Sequence, residues 1–102
     1  MTHFAVQFNS NHCPSSKSLE EYARKRLIKI ERHFNQIIDI KFTFDVLGDR
    51  RHKASAILRV PTKTLHADCE CEDMYVAIDK MMDKLDQLVR NHKERLRSHG
   101  EE

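Results

Sequence analysis

Apolar residues recur along this chain at two periods, and the changes of period divide it into six elements. From Met74 to about Leu96, the positions Met74, Ile78, Met81, Met82, Leu85, Leu88, Val89 and Leu96 fall three and four apart, which predicts a long helix with one packing face. A second stripe, Leu19, Ala23, Leu27, Ile30 and Phe34, predicts a shorter helix. Either Ser16 or Ser18 can cap it, and Ser18 stands in capping-box spacing with Glu21. Elsewhere the period is two. Phe4, Val6 and Phe8 predict a strand over residues 3–8, followed by a loop from Asn9 to Ser16 around Pro14. Ile38, Ile40, Phe42, Phe44 and Val46 alternate with polar residues and predict the clearest strand, with one wet face. Ala54, Ala56 and Leu58 predict a third strand over 52–60 that stops at Pro61, and Leu65, Ala67, Cys69 and Cys71 share one face of a fourth over 64–72. Gly48-Asp49 and Thr62-Lys63 supply the turns between them.

The order β-α-β-β-β-α, with one apolar face on the sheet and one stripe on each helix, predicts an α+β domain: a four-stranded sheet with both helices packed on one face. A helical crossover from the first strand to the second lets those two run parallel. With 102 residues and 39% of them hydrophobic, the chain has material for one modest core, expected over 1–97, and a short flexible tail over 98–102. No run approaches the roughly 18 apolar residues of a membrane span, and the first residues lack the pattern of a secretory leader. A cytoplasmic protein with no membrane partner is expected, its odd number of cysteines kept reduced.

A net charge of only +2 says little about partners, so the distribution of charge must decide. At about 100° per residue, the long helix is three-sided: Lys80, Lys84, Gln87, Asn91 and Arg95 flank the apolar stripe on one side, and Asp79, Asp83 and Asp86 on the other. The first helix repeats the sorting with Lys25, Lys29 and Arg32. If the helices lie side by side, the basic flanks can merge into one positive patch, with Tyr22, Gln87 and Asn91 adding hydrogen-bonding groups. Such a surface suits a phosphate backbone, which lysine and arginine bind largely without regard to sequence. The competing reading is a solvated face, the ordinary fate of surface lysines.

Catalysis finds little support. There is no phosphate-cradling glycine loop and no nucleophile elbow, and no small-molecule substrate or cofactor is expected. Cys69 and Cys71, with His66 and with His3 or His52 in reach, are the nearest approach to a metal site, but two sulfurs on the core face of a strand read better as small buried hydrophobes. Cys13 lies in the first loop with nothing near it to activate it. His92 falls on the packing stripe, where a satisfied ring at the core edge is expected; His33 and His99 read as surface residues. In the acidic run Asp68, Glu70, Glu72 and Asp73, the last two sit where a helix N-terminus favours negative charge.

Four segments carry a resemblance: Leu65-His66-Ala67, then Asp73-Met74-Tyr75 followed by Ala77-Ile78-Asp79, then Asp83-Lys84-Leu85, then His92-Lys93 followed by Arg95-Leu96. Together with Leu27-Ile28-Lys29-Ile30-Glu31-Arg32-His33-Phe34, they resemble the ribosome hibernation-promoting factor family from the first strand to Leu96. The likeness departs where the family usually has a glycine at Ser10 and an apolar residue near Ser15, and at Cys69 and Cys71. It implies a fold similar to a double-stranded-RNA-binding domain and a small non-enzymatic protein. That protein binds the small ribosomal subunit, through 16S ribosomal RNA and ribosomal proteins, in the channel of messenger and transfer RNA. The contacts implied are Lys25, Arg26, Lys29 and Arg32 on the first helix and Lys80, Lys84, Arg90, Lys93 and Arg95 on the second. Arg90 lies nearer the acidic flank. A chain of this length resembles the short form, which acts with a separate ribosome modulation factor to make inactive ribosome dimers. A translation inhibitor that does not dimerise ribosomes, and a protein-binding modulator of an alternative sigma factor, are the alternatives.

Overall fold

The computed structural model describes residues 4–11, 16–34 and 36–100; His3, Cys13, Pro14 and Ser15 lie outside them, as do the side chains of His33, Leu96 and His99. The elements are β1 (Ala5–Asn11), α1 (Lys17–His33), β2 (Asp39–Gly48), β3 (Arg51–Val60), β4 (Lys63–Cys71) and α2 (Met74–Gly100). The strands form one sheet in the order β1-β2-β3-β4. β1 pairs parallel with β2, and the two hairpins that follow are antiparallel.

Local chemistry sets the helix starts. Of the two candidate caps on α1, Ser16 is the one used: its extended backbone turns its Oγ onto the Leu19 amide at 3.3 Å. Asp73 does the same for α2, accepting from the Tyr75 amide at 2.7 Å and more weakly from Val76 at 3.4 Å. Asp73→Ala is therefore expected to lower stability by about 1 kcal/mol and Asp73→Asn by much less, read as a shift in the denaturant midpoint.

The core lies between the sheet and the helix layer. β2 contributes Ile40, Phe42 and Phe44, β3 Ala54, Ala56 and Leu58, α1 Ala23, Leu27 and Ile30, and α2 Ala77, Ile78, Met81, Met82, Leu85 and Val89, all almost fully buried. Alanines on the central strand β3 leave room for the two phenylalanines and the methionines, so small and large side chains interdigitate. Phe8 packs against this core, stacked on Phe42 with ring centroids 5.3 Å apart, and the Arg24 guanidinium lies over the Phe8 ring, 5.1 Å from its centroid.

Three sequence expectations need correction. β1 runs to Asn11 rather than ending at Phe8, because Asn9, Ser10 and Asn11 pair with Thr43, Phe44 and Asp45; a ladder overrides their loop-like composition. Ile38, expected on the core face, is 47% exposed, since it precedes the ladder and only its amide joins, donating to the Arg59 carbonyl; Ile37 fills the core instead. The second hairpin turns at Pro61-Thr62, one residue earlier than expected. The backbone of α2 is helical past Ser98 to Gly100.

The outer face of the sheet is held by cross-strand ion pairs. Arg59 forks onto Asp39 and Arg51 onto Glu70, and each guanidinium holds its partner's carboxyl below the usual range by hydrogen bonding. A depressed folded pKa gives stability that is complete above the unfolded value, about 4 for these groups, and is lost as pH falls through the folded value. Asp39→Asn combined with Glu70→Gln is thus expected to flatten the acid limb of stability against pH below about 4 and to lower neutral stability by the same amount, which is small because the pairs are exposed. Equilibrium unfolding across that range checks it.

Candidate nucleic-acid interface

The two helices lie side by side and run parallel, because contacts between them climb both sequences together. Tyr22 meets Tyr75 and Asp79, Arg26 meets Asp79 and Asp83, and Phe34 meets His92. What faces α1 is the acidic flank of α2. The Tyr22 hydroxyl donates to Asp79 Oδ1 at 2.7 Å, a bond to a carboxylate that, with burial, pushes the phenol pKa up. Arg26 Nη2 donates to Asp83 at 2.9 Å, and its Nε lies 3.5 Å from Asp79. Asp86 accepts from Arg90 at 3.1 Å, one turn along α2. Lys29 lines the small cleft between the helices together with Asp83 and Asp86.

The basic flank of α2 consequently points the other way, toward β4. Lys84 Nζ reaches down to the Asp68 carbonyl at 2.9 Å, covering an acceptor on an edge strand. Lys84, Gln87 and Leu88 form one wall of an open groove of about 400 Å³, and His66, Ala67 and Asp68 form the other. Gln87 and Asn91 are hydrogen-bonded to each other at 3.2 Å. The single merged patch is therefore corrected to two basic strips, with the seam of Asp79, Asp83 and Asp86 between them. The α1 strip faces away from the sheet, and the α2 strip runs along the exposed side of that helix above β4. Lys25, Lys29 and Arg32 are exposed nearly opposite the buried stripe of α1, and Lys80, Gln87, Asn91 and Arg95 are exposed on the outer side of α2. Lys93 is half-buried and engaged within the molecule.

A family model described as Sigma 54 modulation protein / S30EA ribosomal protein matches residues 6–97. The chain belongs to this family. S30EA relatives named ribosome hibernation promoting factor include one from Pseudomonas putida, 33% identical over 93 residues that cover 91% of this chain and 90% of that protein. Another, from Escherichia coli K12, is 30% identical over 94 residues, covering 92% and 98%. Among solved structures, a ribosomal subunit interface protein from Coxiella burnetii superposes with a TM-score of 0.81 at 26% identity, covering 88% of this chain and 98% of that one. The N-terminal domain of Thermus thermophilus Protein Y shares the fold, with a TM-score of 0.77 at 20% identity over 84% and 94%.

Within this S30EA domain the remaining candidates settle as follows. His92 is buried and packs edge-on against Phe34, with ring centroids 5.8 Å apart, but its Nε2 finds no hydrogen-bond partner among the described residues, contrary to the satisfied ring expected. Cys69 and Cys71 are half-buried rather than core residues, and their sulfurs stand 3.6 Å apart. His66 is on the opposite face of β4 and exposed. Among the described residues no helix is long and apolar enough to cross a membrane.

Sequence reasoning missed the partner of the acidic flank. The signal was present: Tyr22, Arg26 and Lys29 recur at the same spacing as Asp79, Asp83 and Asp86, a complementary pair of edges for two helices running the same way.

Proposed function

We propose that this chain is a ribosome hibernation factor: it binds the small ribosomal subunit in the channel of messenger and transfer RNA and stops translation by occupying it, without chemistry. Relatives in Pseudomonas putida and Escherichia coli carry the hibernation name, and the Coxiella burnetii neighbour is titled a subunit interface protein. One observation carries the reading. Asp79 and Asp83 are spent on Tyr22 and Arg26 of α1, and Asp86 on Arg90 of its own helix, so the carboxylates are drawn into the seam, away from the faces where Lys25, Arg32, Lys80 and Arg95 are exposed. Lys25, Lys29, Arg32, Lys80 and Arg95 then supply counterion-release affinity for ribosomal RNA. Tyr22 and Arg26 bridge to Asp79 and Asp83 and fix the spacing of the two strips, while Arg90 holds Asp86 within α2. Lys84 divides its role between groove and edge strand.

Gradient sedimentation of ribosomes with added protein tests this. The protein should migrate with the small subunit and leave it as salt rises. A dimer peak that appears only with a ribosome modulation factor would assign the dimer-promoting role, and its absence the blocking role. Migration with RNA polymerase and not with ribosomes would overturn the proposal in favour of sigma-factor modulation.

A further inference from the structure

Cys69 and Cys71 end β4 on the face turned toward α2, two residues apart, with sulfurs at 3.6 Å. That separation is close to the bite of a metal ion: two thiolates on one tetrahedral zinc, each bound at about 2.3 Å, stand about 3.8 Å apart. A disulfide is the poorer use of the pair. An extended strand spaces alternate Cα atoms by about 6.8 Å, the far limit of what a disulfide spans.

A third ligand stands across the ladder. His52 on β3 is the direct register partner of Cys71, and residues opposite one another in an antiparallel pair share a face with Cβ atoms about 5 Å apart. Its Nδ1 is buried and has no hydrogen-bond partner among the described residues, a state that costs free energy unless something fills it. Among the described residues no three such side chains already converge, so the imidazole must turn toward the sulfurs. We propose that Cys69, Cys71 and His52 form a site for a thiophilic metal ion of zinc's size, the two thiols giving up their protons as it binds and solvent completing the coordination. The site lies beneath the basic flank of α2, whose Lys84 reaches β4 at the neighbouring Asp68 carbonyl.

Titrating the full chain with zinc against a chromophoric chelator tests the site, with cobalt as a spectroscopic probe of thiolate ligation. Wild type and Cys13→Ser are expected to bind one ion at or below about 1 μM, with thiolate-to-cobalt charge-transfer bands. Cys69→Ser and Cys71→Ser should abolish both signals, and His52→Ala should weaken binding by at least about tenfold, with circular dichroism confirming that each variant is folded. Undiminished binding in the Cys69 or Cys71 variant, or no binding by wild type, would overturn the site; full affinity in the His52 variant would overturn the three-ligand assignment.

Discussion

Reversing Lys25, Arg32 and Lys80 together to glutamate is expected to abolish co-sedimentation with the small ribosomal subunit while the domain stays folded. The three are chosen by where the structure puts them. Lys29 borders Asp83 and Asp86 in the interhelical cleft, so a glutamate there would repel the seam, and Lys84 holds the Asp68 carbonyl. Reversal at either would confuse a binding loss with a structural one. Lys25, Arg32 and Lys80 are exposed on the outer side of the helices. A lysine or arginine that neutralises a phosphate contributes about one unit to the slope of affinity against salt, so the triple variant should lose at least two units of that slope and roughly a hundredfold or more in affinity. Unfolding midpoints within about 0.5 kcal/mol of wild type are expected, since the substitutions touch only surface. Retained binding with an unchanged salt slope would refute the assignment of these strips.

Phe42→Ala should be the most damaging single change to the fold, costing about 3–5 kcal/mol. Phe42 is wholly buried, sits mid-strand, and carries Phe8 stacked on its ring. Truncation removes a large transfer term and leaves a cavity walled by alanines 54 and 56, which cannot swing in to fill it. A small domain has only about 5–15 kcal/mol in hand, and each kcal/mol is worth about 4–8 °C in one of this size. A fall in Tm of more than about 12 °C is expected, and a fall under about 4 °C would mean that β1 and α1 repack without it. Phe42→Leu, which keeps most of the volume, should recover much of the loss.

The element order, the single wet face of the sheet and the helices' shared side were all legible, because period and turn residues act locally. What escaped the sequence depended on neighbours. Asn9, Ser10 and Asn11 look like loop until β2 is beside them, and Ile38 has the parity of a core residue but lies before the ladder starts. The helical wheel showed that α2 sorts its charges; it could not show that the aspartates meet Tyr22 and Arg26, because that needs the two helices to be parallel and adjacent. Likewise the Cys-x-Cys spacing was visible, while the unpartnered Nδ1 of His52 across the ladder was not.

The seam joining α1 to α2 links residues 57 positions apart, as in the Tyr22–Asp79 bond. During synthesis three of the four strands, β2, β3 and β4, emerge between the two halves of this lock. A nascent copy that has made α1 and the sheet still lacks the second basic strip and leaves the core face of β3 and β4 bare. The two basic strips thus come to stand side by side only after α2 has been made, so the surface proposed to meet ribosomal RNA is the last part of the molecule to be completed.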